Sequence, residues 1–169
     1  VLMAVHSDDA DMVCEDSAAG VYICEQFRQR FGIKMAAPSF MLGVHRNKWT
    51  GADGTTYLEM TQQKSVDDIY EEYKDQLPDR PRETPFPDKT FLSTHTPDGE
   101  PRKVDPDEIA YNYKRGYMHM CGTLLWMSRN CYPEIAQGCH QLCKLMHMPY
   151  NEAYDAALHM ISYLHGQRD

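Results

Sequence analysis

VLMAVHSDDADMV, residues 1–13, sets an apolar, strand-like run against three carboxylates, Asp8, Asp9 and Asp11. Residues 1–6 and 10–14 read as two strands around a Ser-Asp-Asp turn, an antiparallel hairpin. Carboxylates at a strand end usually sit in a solvated turn. A cluster this tight carries a repulsive cost that a cation can offset. The stretch is therefore an acidic turn or a metal site.

Working outward, Ser17 can N-cap a helix whose Gly20, Cys24, Phe27 and Phe31 recur at helical spacing, with Gly32 to end it. Ser39–Arg46 (SFMLGVHR) reads as a short strand, NKWTGADGTT as a turn, and TYLEMT as the second strand of a hairpin. Ser65 and Asp68 suit a capping box opening a helix with Val66, Ile69, Tyr70, Tyr73 and Leu77 on one face.

Seven of the ten prolines then fall between Pro78 and Pro106. Each removes a backbone donor and disfavours helix before it, so this is an extended linker, anchored by Phe86, Phe91 and Leu92. The remainder is helical. Asp105, Pro106 and Glu108 supply a cap, a first-turn proline and a capping carboxylate. Met118, Cys121, Leu125 and Ser128 follow at helical spacing. Pro133 begins a helix with Ile135, Cys139, Leu142 and Met146 inward. Asn151 caps the last, with Tyr154, Ala157, Leu158, Ile161 and Leu164 inward.

At 169 residues, 42% hydrophobic and 25% charged, the composition is that of a globular protein with a real core. No apolar run approaches the ~18 residues of a membrane span. The chain starts at Val1 in what reads as mid-sheet, so it is expected to be an internal piece of a longer polypeptide. Six cysteines without CxxC pairs suit reduced thiols. Cys139, Cys143 and His147 share a helical face but lack a fourth zinc ligand, which favours small buried side chains. The other histidines, His159 among them, pair with no visible nucleophile and read as ordinary packing residues.

The net charge of −8 argues against a strong nucleic-acid binder. Yet no acid occurs from Gln26 to Ala52, where Arg28, Arg30, Lys34, Arg46 and Lys48 interleave with Phe27, Phe31, Phe40 and Trp49. This suits a surface that tracks a phosphate backbone, and equally a solvated face above a core stripe.

Three chemistries place carboxylates after a strand. A calcium loop starting at Asp9 fails, because its sixth residue is Cys14 and its twelfth is Gly20. A haloacid-dehalogenase-type phosphotransferase would use Asp9 as nucleophile and Asp11 as acid, but the glycine and threonine expected just afterward are missing. Two-metal nucleotidyl transfer would use adjacent Asp8 and Asp9 as ligands for Mg²⁺ or Mn²⁺.

Several motifs, in order, decide between them. His6-Ser7-Asp8-Asp9, Met41-Leu42-Gly43-Val44, Thr61-Gln62-Gln63-Lys64, Thr84-Pro85, the ungapped run Gly122–Ile135 (GTLLWMSRNCYPEI) and Tyr163-Leu164-His165-Gly166 follow one another along the chain. Together they resemble the C-terminal part of a copia-type LTR-retrotransposon reverse transcriptase. His6, Ser65, Tyr132 and Glu134 depart from that pattern.

The resemblance implies an α+β fragment. Residues 1–62 would end a polymerase palm, 63–77 form a thumb-like helix, 78–106 a linker, and 107–169 a helical connection region before a ribonuclease H domain. Asp8 and Asp9 would be metal-binding catalytic carboxylates. Leu42 and Gly43 would lie near the primer backbone, with Arg28, Arg30, Arg46 and Lys48 as further nucleic-acid contacts. The parent would copy an RNA template onto a DNA primer in a cytoplasmic virus-like particle or in the nucleus. Its fingers, its third carboxylate and the ribonuclease H domain would lie outside this chain. The isolated chain would then be inactive. The rival from another class is a non-catalytic structural or interaction remnant of a decayed element.

Overall fold

Strand β1 (Leu2–His6) pairs antiparallel with β2 (Asp9–Val13), so the apolar run and the acidic stretch form one hairpin. The computed structural model describes residues 2–6, 9–13, 17–32, 39–88, 90 and 92–167. The protein is mixed α+β and divides into two units, Val1–Thr61 and Gln62–Asp169.

In the first unit, helix α1 (Ser17–Phe31) buries Gly20 and half-buries Ile23, Cys24 and Phe27, the i, i+3, i+4, i+7 stripe of an amphipathic helix. Phe31, expected on that stripe, is exposed. It sits in the last turn against Phe27, ring centroids 5.6 Å apart, where Gly32 at φ +64° ends the helix and donates to the Arg28 carbonyl.

The stretch read as one strand over Ser39–Arg46 is two. Strand β3 (Phe40–Met41) turns back at Leu42-Gly43 into β4 (Val44–Thr50), which pairs in turn with β5 (Thr56–Thr61). Leu42 and Gly43 both take positive φ, +50° and +81°, the pattern of a two-residue hairpin turn that follows the twist of its strands. β4 also runs further than expected, through Lys48 and Trp49. The second turn tightens at Gly51–Thr55, where Asp53 accepts from the Thr55 amide at 2.9 Å.

The second unit has its own core. Helix α2 (Gln63–Tyr73) starts two residues before the expected Ser65 cap and has no side-chain cap. Asp68 instead meets Lys64 at 3.0 Å, the i, i+4 pairing of an exposed helix face. Val66, Ile69 and Tyr73 are buried as their spacing predicts, against helices α4 (Tyr117–Asn130) and α6 (Asn151–Gly166), whereas Tyr70 is half-buried and Leu77, expected on the same helix, follows a 3-10 turn at Lys74–Gln76 in extended backbone.

Between α2 and α3 (Pro106–Lys114) the chain forms a strap with no long regular element. Leu92 is buried, Phe86 packs where Gly138 leaves room, and Ser93 is hydrogen-bonded to the Tyr150 hydroxyl at 3.1 Å. Phe91, the third expected anchor, lies outside the described residues.

Asp105 caps α3 as expected, accepting from the Asp107 amide at 2.9 Å. Glu108, expected to cap the same helix, instead accepts from the Asn151 amide at 2.7 Å and so holds the start of α6. Asn151 is the first residue of α6 rather than its cap; its side chain accepts from the buried Asn112.

On α4 the buried face is Tyr117, Met120, Cys121, Leu124, Met127 and Ser128, which leaves Met118 exposed. Helix α5 (Ala136–Lys144), entered through a 3-10 turn at Pro133–Ile135, buries Cys139 and Leu142. Every residue expected inward on α6 is buried.

The corner between α3 and α4 is Gly116, at φ +90°, whose missing side chain makes room for the Tyr73 ring and hydroxyl. Gly116→Ala would meet both an unfavourable backbone region and that ring. The expected cost is ~1–3 kcal/mol, read as a lower urea midpoint. An unchanged midpoint would show that the corner yields freely.

Candidate functional site

The register of the acidic hairpin places Asp9 opposite His6 and Asp11 opposite Ala4. Asp9, Ala10 and Asp11 therefore all belong to the return strand β2, whereas the phosphotransferase arrangement sets its carboxylate pair after a strand. Asp8 lies outside the described residues. Among the described residues, no group of three or more His, Cys, Asp or Glu gathers to hold a metal ion. A two-metal site at this hairpin would therefore need carboxylates from beyond the described residues.

The cations expected to contact nucleic acid are not equivalent. Arg28 is engaged by Glu25 one turn earlier on α1, through Nε–Oε2 and Nη2–Oε1 contacts of 2.8 Å each. That pairing holds the Glu25 carboxyl well down, at about 2, through the Arg28 and then the Gln29 hydrogen bonds. Glu25 lies just outside the acid-free stretch, and the i, i+3 spacing was the signal for it. Arg30 is exposed, its guanidinium 5.9 Å from the Phe31 ring.

Arg46 and Lys48 do come together, at alternate positions of β4 and so on one face of the sheet. Their cross-strand neighbours are Met60 and Leu58. The aromatic residues take the other face. Trp49 stacks on Tyr57 with centroids 5.4 Å apart, and Phe40 meets His45 at 4.7 Å. Period-two alternation therefore separates cations and rings that look interleaved in sequence. The Leu42-Gly43 turn lies at the end of this sheet, with Leu42 half-buried in a backbone region that favours glycine.

The second unit holds a groove of about 570 Å³ between the strap and α6. Its helix wall carries Glu152, Asp155 and His159, and its strap wall carries Arg82 and Thr90. His159 Nε2 lies 2.9 Å from the Thr84 carbonyl oxygen. A carbonyl only accepts, so Nε2 carries the proton and Nδ1 is left as the acceptor. Burial lowers the His159 pKa; the Thr84 carbonyl opposes that shift and the Arg82 charge adds to it. The 152, 155, 159 spacing was visible on one helical stripe, but the partner 75 residues away was not.

The thiols of the second unit are packing groups. Burial raises Cys121 to about 12 and Cys139 to about 11, far from the thiolate a nucleophile or metal ligand needs. No described helix is long and apolar enough to cross a membrane.

Comparisons with protein-family models, with curated proteins and with solved structures return no match for this chain.

Because the folded protein holds His159 below its unfolded pKa, the unfolded chain binds the proton better. The stability due to the neutral imidazole is present above ~6.5 and falls as pH drops through that value toward the folded pKa. The urea midpoint of wild type is expected to fall relative to that of His159→Gln as pH is lowered through this window. A difference independent of pH would mean that the imidazole is freely solvated.

Proposed function

We propose that this chain is part of an RNA-directed DNA polymerase of the copia retrotransposon type, and that its own contribution is to hold a template–primer duplex. The observation that supports the reading most is the order of the motifs. His6 and Asp9 of the first motif pair across an antiparallel hairpin, Leu42-Gly43 forms the turn of a second antiparallel sheet, and Thr61-Gln62-Gln63-Lys64 leads directly into α2. The helical segment that resembles the family most fully, Gly122–Ile135, spans most of α4 and the turn into α5.

In this reading Asp8 and Asp9 are metal ligands that need a carboxylate from outside the chain. Arg30, Arg46 and Lys48 contact phosphates, and Arg28 must exchange its exposed pairing with Glu25 to do the same. If these three side chains contact phosphates, log K for an RNA–DNA hybrid should fall with log salt at a slope of about −2 to −3. Arg46→Gln with Lys48→Gln should flatten the slope by about two and weaken binding, read by fluorescence anisotropy. The pure chain should extend no primer.

A second reading, a non-catalytic interaction remnant of the same element, is favoured by the net charge of −8 and by the Arg28–Glu25 pair. Salt-insensitive non-binding to the hybrid would select it.

A further inference from the structure

We propose that the groove between the strap and α6 is a binding site for a small zwitterion of the amino-acid or dipeptide type. Its ammonium end would lie against Glu152 and Asp155, and its carboxylate end on Arg82.

The helix wall sets two carboxylates and an imidazole beside Ala156 and Leu158. Glu152, Asp155 and His159 line one stripe of α6, at i, i+3 and i+7, and face the groove. His159 gives an N–H to the Thr84 carbonyl, so the charged groups this wall presents are the two carboxylates. Facing them, Arg82 on the strap is a pure donor with a permanent charge. Among the described residues none of Arg82, Glu152 and Asp155 is in an ion pair. Opposite charges thus stand on the two walls, with no ion pair between them among the described residues.

That arrangement offers a doubly charged ligand more than a singly charged one. A simple amine satisfies the acids but leaves Arg82 unpaired, and a simple carboxylate meets two acids. A molecule with both ends satisfies both walls at once. Leu77, Pro78, Pro87 and Ala156 line the space between and offer apolar contact to a short side chain. The volume of about 570 Å³ lies within the ~300–1,000 Å³ of small-molecule sites. Because the charges are solvent-accessible, the affinity expected is modest, with a Kd of ~1 mM or somewhat tighter.

The proposal is independent of the polymerase reading and stands or falls separately from it. The test is titration of the full chain with L-alanyl-L-alanine at constant pH, following the His159 ring signals by NMR. His159→Gln identifies those signals. N-acetyl-alanyl-alanine, which lacks the ammonium, and alanyl-alanine amide, which lacks the carboxylate, are the controls.

A saturating shift is expected for the dipeptide alone, weakened ~10-fold or more in Arg82→Gln and in Asp155→Asn. Both changes are at surface positions, and an unchanged urea midpoint confirms that the fold survives. A response that never saturates would overturn the proposal. So would saturation by the amide at the same concentration, which would mean a plain cation site, or equal curves in wild type and both variants.

Discussion

Burial of α6 is the constraint on which the second unit depends. Nine of its sixteen residues are buried, and α2, α3, α4 and α5 all pack against it. A helix enclosed on so many sides needs small residues where neighbours approach, and Ala153, Ala156 and Ala157 supply them. The larger Tyr154, Met160, Ile161 and Leu164 fill the spaces between. Tyr154 carries a hydroxyl into that core, and it is satisfied by donating to Gln76 at 3.0 Å, under an Arg115 guanidinium 3.6 Å from the ring. The polar groups that enter with α6 are thus matched by fixed partners on α3 and at the end of α2. Desolvation without those partners would offset much of the gain from the apolar contacts.

The strap follows from the same constraint. Its prolines rule out a helix, so it gains stability by laying side chains onto elements that already exist. Phe86 enters beside Gly138 and Met160, and a Cβ at position 138 would lie 2.6 Å from its ring. Pro81 rests on Gly166, and His159 takes the Thr84 carbonyl. Each contact sits on α6 or on α5 beside it. The groove exists because Leu77–Thr90 spans α6 by these few anchors and does not press on it along its length.

The first unit is organised differently. Its three-stranded sheet buries Val44 but leaves much of both faces exposed, with Leu58 60% and Trp49 45% exposed, and α1 leaves Val21 and Tyr22 exposed. Strand pairing and turn chemistry, more than burial, define this part. That is why its register is carried by devices such as the Leu42-Gly43 turn. It also explains why its cations and rings can be sorted onto faces by alternation alone.

Legibility in the sequence tracks that difference. Where burial dominates, periodicity sufficed: Val66, Ile69 and Tyr73 on α2 and all five residues singled out on α6 are inward, because an apolar stripe has one way to face a core. Caps and turns were less legible. Ser65 looked like a cap, but the helix began earlier at Gln63. Leu42 hid a turn, since a leucine at positive φ contradicts its own propensity and only the following glycine hinted at it. Least legible were the polar contacts that join distant segments, Glu108 to Asn151 and His159 to Thr84, which no local pattern announces. The acidic turn belongs with these. The pattern gives the hairpin and the positions of its carboxylates, but a metal site is a convergence of separate strands. Asp9 at the first position of β2 supplies only part of it, so the chemistry expected of Asp8 and Asp9 depends on what is brought opposite them.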